Sequence, residues 1–172
     1  MQYISSEEVK KLEQKANEIR QSVIEMLTEA GSGHTAGPLG MADIFALLYF
    51  SVLKHDPKNP LWEDRDRVVL SNGHICPVLY ATLAQSGYFS LEETTTLRKL
   101  GSRLQGHPHR GALPGIETSS GPLGSGLSQA VGMALAERIN NPYSAKFFYC
   151  LTGDGELNEG QIWEALMQAG KE

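Results

Sequence analysis

Val9, Leu12, Ala16, Ile19, Val23, Leu27 and Ala30 recur at steps of three and four. That spacing puts them on one face of an amphipathic helix of about 25 residues. Ser5 and Glu8 have the spacing of a capping box at its start. Gly31, Gly33, Gly37, Pro38 and Gly40 then predict a loop. The stretch from Met41 to Val52 is apolar on most sides, which predicts a second, buried helix. Residues 55–66, HDPKNPLWEDRD, read as a polar, proline-bearing surface loop.

Arg67 to Ser71 reads as a short strand that runs into Asn72-Gly73-His74. Residues 77–86 are expected to be helical, and so are residues 90–100, where Ser90 and Glu93 suggest another capping box. A long loop with glycines, prolines, His107 and His109 occupies 101–121. A helix follows over 125–139, and then a strand over 145–152. Phe147 to Leu151 shows no alternation, as expected of a strand buried on both faces in a parallel sheet. A last helix covers 159–169. Strands alternating with helices predict an α/β fold, a parallel sheet flanked by helices. No repeat or linker divides the chain, so residues 1–172 read as one domain. Two parallel strands are marginal alone, so the expectation is part of a larger domain, incomplete at its C-terminus.

Composition narrows the function. The 172 residues are 41% hydrophobic and 20% charged, ordinary for a globular chain. The net charge of −5 argues against nucleic-acid or acidic-membrane partners. Cys76 and Cys150 form no CxxC or disulfide framework, which fits a reducing, cytoplasmic setting. The polar N-terminus is no signal peptide. The apolar run MADIFALLYFSVL, about 13 residues with Asp43 inside it, is too short to span a bilayer. What changes the picture is the placement of the 18 glycines and 5 histidines, which gather in a few short stretches.

The first is Gly31-Ser32-Gly33-His34, a histidine in a glycine loop, equally readable as a helix C-cap. The second is Ser71-Asn72-Gly73-His74, at the carboxyl end of a strand, where ligands of open α/β sheets bind. The third is Gly106-His107-Pro108-His109, followed by Gly121-Pro122-Leu123-Gly124-Ser125-Gly126 at a helix start. Free amides there favour anions such as phosphate, although a sharp turn uses the same residues and the spacing is no Walker A or Rossmann fingerprint. The fourth is Gly153-Asp154-Gly155-Glu156-Leu157-Asn158-Glu159-Gly160. Asp154 at a strand tip can reach a hard cation that also binds phosphate oxygens, or simply cap the next helix.

The ordered set SGH, SNGH, GHP, GPLGSG and GDGELNEG resembles the thiamine-diphosphate-binding domain of transketolases, from about Ala16 to the last residue. It is also similar to the N-terminal chain of split transketolases. The resemblance implies thiamine diphosphate and Mg2+, with Ca2+ able to stand in. Asp154 would bind the metal, and Gly155, Gly121, Pro122 and Leu123 would meet the cofactor through backbone. His74 would lie by the diphosphate, and His34 and His107 would face the hydroxyls of sugar-phosphate substrates, since histidines titrate near working pH. Glu159 would lie in a dimer interface that couples two active sites.

The implied activity is transfer of a two-carbon ketol unit from a ketose phosphate to an aldose phosphate. The implied partners are a C-terminal transketolase half or subunit, in a homodimer or heterotetramer. The family's second metal ligand, an asparagine, and its cofactor-activating glutamate have no counterparts here, so this chain alone is expected to be inactive. Thr35 stands where the family usually has proline, losing a fixed φ beside His34. The alternatives are a synthase of the deoxyxylulose-phosphate type and a non-catalytic interaction remnant.

Overall fold

A computed structural model describes residues 5–172. The residues fall into two compact units. Unit 1 comprises the chain up to Leu53 together with Ile75–Gly106, and unit 2 comprises Lys54–His74 with His107–Glu172.

Unit 1 is helical. Helix α1 spans Ser6–Ala30, and both halves of the capping box at Ser5 and Glu8 form. Its buried face is Ala16, Ile19, Ser22, Val23, Met26 and Leu27, and it closes on Gly31 at φ 62°. Helix α2 spans Ala36–Leu47 and continues as a π-helical turn over Leu48–Val52. It therefore begins earlier than the glycines and proline suggest. Pro38 is the third residue of the helix, where the amide needs no intrahelical partner. Gly37 is also required there, because a Cβ would lie 2.6 Å from Ile75 Cγ2.

α2 meets the expectation of a buried helix over 41–52 only in part. It buries Pro38, Ala42, Phe45 and Ala46, while Ile44 and Leu47 are exposed. The buried helix is α3, Cys76–Gln85, in which every residue from Cys76 to Ala84 is covered. The second capping box is also corrected. Leu91–Thr96 is a 3-10 turn without a side-chain cap. Ser90 donates to Glu92 instead, and Glu93 takes a two-pronged ion pair from Arg103 at 2.7 and 2.8 Å.

Unit 2 holds the sheet. Strands β1, Arg67–Leu70, and β2, Phe148–Leu151, pair in parallel with Arg67 opposite Phe148 and Leu70 opposite Leu151. Helix α4, Ser125–Asn140, packs on both strands, and α5, Gly160–Lys171, packs on α4. The expectation for β2 is half met. It is parallel, but its residues are half-buried rather than buried, because among the described residues β1 is its only strand partner.

Buried Asp66 closes the amino end of this short ladder. One carboxylate oxygen accepts from the Lys54 amide at 2.9 Å and the other from the Phe147 amide at 2.8 Å. Arg65 beside it is buried and ion-paired with Glu117. Among the described residues no helix is long and apolar enough to cross a membrane.

The contact of α4 with the end of β1 leaves no room for a methyl group. A Cβ on Gly126 would lie 2.5 Å from Ser71 Cβ and 2.6 Å from Ser71 Cα, whereas a Cβ on Gly132 meets nothing within 4 Å. Gly126→Ala is expected to destabilise unit 2 by about 1–3 kcal/mol. Gly132→Ala should stabilise it by about 0.5–1 kcal/mol. Urea unfolding of the two variants checks this, and equal midpoints would contradict the close approach.

Candidate functional site

The motif residues of unit 2 meet beyond the carboxyl ends of β1 and β2. Ser71 carries the ladder one bond further, its amide donating to Leu151 O at 2.9 Å. Asn72 and Gly73 follow, both buried, and His74 sits half-buried in the 3-10 turn Gly73–Ile75. The histidine-bearing loop lies directly against this turn. A Cβ on Gly73 would come within 2.6 Å of Ser120 Cβ and 3.2 Å of Pro108 Cδ. Ser120 fixes the approach, its hydroxyl donating to Leu70 O at 2.5 Å and its amide to Pro108 O at 3.1 Å. His107, exposed, is thus brought to the same end of the sheet as His74.

The glycine loop before α4 and the loop after β2 are joined by a residue that sequence reasoning passed over. Glu156 is only 2% exposed. Its Oε1 accepts from Ser71 Oγ and from the Gly124 amide, each at 2.5 Å. Its Oε2 accepts from the Gly153 amide at 3.0 Å. Ser71 Oγ in turn accepts from the Gly126 amide at 3.1 Å. One carboxylate and one hydroxyl therefore tie together the end of β1, the start of α4 and the exit of β2.

This corrects the expectation of free amides at the start of α4. The Gly124 and Gly126 amides are committed to Glu156 and Ser71, and the Ser125 amide donates to Pro122 O at 3.3 Å. The positive end of the helix faces an internal anion. Gly124 adopts φ 89° to enter the helix, and a Cβ there would strike Gln161 at 2.7 Å. The Gln161 side-chain amide donates to Leu123 O at 2.6 Å, fastening the loop to α5.

The remaining backbone is open to an approaching ligand. Gly121 and Gly155 each have nothing within 4 Å of where a Cβ would stand. Gly121 is half-buried, whereas Pro122, Leu123, Asp154, Gly155 and Glu159 are exposed. Glu159 precedes α5 and makes no side-chain cap; its amide donates to Glu156 O at 3.0 Å. His34 belongs to unit 1, exposed in the loop between α1 and α2. Arg103 also belongs to unit 1 and is engaged by Glu93. Arg110 lines a hollow of about 610 Å3 with Arg65 and Arg67. The hollow includes the first residues of both strands, so it lies at the opposite end of the sheet from the converging motifs.

These residues fit a diphosphate with a divalent cation. Among the described residues no group of three His, Cys, Asp or Glu could hold a metal by itself. Mg2+ asks for less, since one or two carboxylates plus phosphate oxygens and water are its usual shell. Asp154 supplies an exposed hard oxygen donor at the strand exit. Asn72 Oδ1 is buried with no hydrogen-bond partner, and its side-chain nitrogen would lie 3.3 Å from a Cβ on Gly153. A buried acceptor of this kind calls for a partner such as an ordered water, an ion or a ligand group.

Parallel strands that end in glycine loops place these residues beyond the carboxyl ends of the sheet, where α/β proteins bind their ligands. Residues 11–172 match the family model described as the transketolase thiamine diphosphate binding domain, and the chain belongs to that family. The chain is 46% identical over 165 residues to the 6-deoxy-6-sulfo-D-fructose transketolase subunit SqwG of Clostridium sp. (strain MSTE9), covering 96% of this chain and 59% of that subunit. It is 46% identical over 164 residues to transketolase 2 of Escherichia coli (strain K12), covering 90% of this chain and 25% of that enzyme. The solved transketolase from Leishmania mexicana superposes with a TM-score of 0.87 at 39% identity, over 98% of this chain and 26% of that one. The chain thus spans between a quarter and about three fifths of the length of these relatives.

Both thiols are electrostatically silenced. Burial pushes the Cys76 thiol up to about 12. Burial, and then the Glu156 carboxylate, push Cys150 up to about 12 as well. The thiolate is the reactive form, so both cysteines should react slowly with a thiol reagent at pH 8 and rapidly after denaturation. Fast labelling of the native chain would contradict the burial.

Proposed function

We propose that the chain is the cofactor-binding part of a transketolase, moving a two-carbon ketol unit from a ketose phosphate to an aldose phosphate. The observation that carries this reading is the convergence of the SNGH, GHP, GPLG and GDG segments at one end of a parallel sheet. Asp154 holds Mg2+, or Ca2+ in its place, and Gly121, Pro122, Leu123 and Gly155 present backbone to the diphosphate. When bound, thiamine diphosphate supplies the electron sink that lets a carbon–carbon bond beside a carbonyl break and re-form.

This chain's own groups position and protonate. His74 lies by the diphosphate. His107 and His34 exchange protons with sugar hydroxyls, a role suited to imidazole near neutral pH. Residues 1–172 act as a single cofactor domain.

The assembly requires a second chain or half that carries the rest of a transketolase, as a homodimer or heterotetramer. The exposed Leu157, Trp163, Leu166 and Met167, around Glu159 and along α5, support an interface on that helix. The relative that is itself a subunit supports the two-chain form.

Calorimetric titration with thiamine diphosphate and Mg2+, with and without a chain carrying the rest of the enzyme, tests the assembly. Binding only in the pair is expected, and no binding in either case overturns the reading. Asp154→Ala should abolish Mg2+-dependent cofactor binding in the pair, and retained binding would remove the metal assignment. His107→Ala should lower turnover while cofactor affinity holds. Unchanged turnover would remove its substrate role.

A further inference from the structure

We propose that Glu156 is a positioning residue for the cofactor site, an internal anion that sets the diphosphate loops in place before any ligand arrives. The proposal rests on the reading above that residues 121–123 and 154–155 receive the diphosphate and its metal. Glu156 stands between those two segments in space. It receives the Gly124 amide just after the first and the Gly153 amide just before the second. Through Ser71 it also anchors the Gly126 amide and the end of β1.

Two features separate this from an ordinary turn contact. Glu156 is nearly fully buried while its neighbours Asp154 and Gly155 are exposed. The chain therefore divides two nearby carboxylates into one facing outward and one facing inward. The start of α4 also receives its negative charge from within the protein, as helix N-termini favour. The Gly124 and Gly126 amides are not available to an incoming phosphate. Binding then falls to Gly121–Leu123 and Gly155, whose placement depends on the bonds that Glu156 makes.

The two oxygens of Glu156 have separate tasks, and this makes the proposal testable. Oε1 serves Ser71 and Gly124, and Oε2 serves Gly153. In Glu156→Gln the amide oxygen can keep the first pair. The amide nitrogen then confronts the Gly153 N–H, donor against donor. The loop carrying Asp154 is released while the start of α4 stays attached.

The test joins two measurements on Glu156→Gln. Amide hydrogen exchange of the chain reads the clamp itself. Exchange at Gly153 should speed up by about tenfold or more, as expected when a buried donor loses its acceptor, with Gly124 little changed. Calorimetry with thiamine diphosphate and Mg2+, on the chain paired with the rest of a transketolase, reads the consequence. Affinity should fall by about tenfold or more, while turnover at saturating cofactor stays within about twofold, the pattern of lost ground-state placement. A purely structural carboxylate would lower the melting temperature and leave that affinity unchanged. Unchanged affinity in a folded variant overturns the proposal, and so does unchanged exchange at Gly153.

Ser71→Ala serves as the second variant should Glu156→Gln fail to fold. It removes both the hydroxyl donor to Glu156 and the acceptor of the Gly126 amide, leaves the Gly124 and Gly153 bonds in place, and should also weaken cofactor binding. Unchanged affinity in this variant would overturn the proposal too. If the parent pair binds no cofactor, the proposed function fails and this proposal fails with it. If the parent binds and both variants bind equally well, only the positioning role fails.

Discussion

A carboxylate taken out of water must be met by donors, and in unit 2 that requirement organises the ligand end of the sheet. Glu156 is satisfied by two backbone amides and a hydroxyl from three different segments. Hydrogen bonds to a charged group contribute about 1.5–3 kcal/mol each, and removing one partner leaves a buried group unpaired. Asp66 has the same role at the amino end, where its two oxygens collect the Lys54 and Phe147 amides. A two-strand parallel ladder with four residue pairs has few bonds of its own. Side-chain carboxylates at both ends supply the closure that neighbouring strands would give a wider sheet.

This arrangement separates holding from receiving. The Gly124 and Gly126 amides are spent internally, while the open glycines Gly121 and Gly155 stay available. The exposed Asp154 and the buried Glu156 lie two residues apart yet face different surroundings. The glycines in these loops divide similarly. At Gly73 and Gly126 a side chain would collide with Ser120 or Ser71, so those positions serve packing. At Gly121 and Gly155 the space is open, so those positions serve access.

Much of this was legible in the sequence, for reasons that can be traced residue by residue. Helix α1 is written in its period and in the Ser5–Glu8 box because both signals are local. Both strands and the order of elements are legible for the same reason. The start of α2 was hidden because Gly37, Pro38 and Gly40 read as breakers, although a proline in a first turn breaks no bond. The Ser90–Glu93 box did not form because Arg103, ten residues further on, offers Glu93 a charged partner.

Glu156 was in plain view inside GDGELNEG. Whether a carboxylate faces in or out depends on which donors other segments bring to it, and those segments end at Ser71 and Gly124. A single sequence does not carry that pairing. The one available signal was the glutamate's position within a glycine turn directly after a strand.

The absence of a side chain at Gly126 bears on how this unit can move. With the Gly126 backbone lying against Ser71 itself, sliding α4 along the strands would drive main chain into main chain. Close-packed contacts of this kind resist shear and leave rotation about loop residues as the cheaper displacement. Adjustment around a ligand is therefore confined to the segments 121–123 and 153–155, while the helix and the sheet behind them move as one piece.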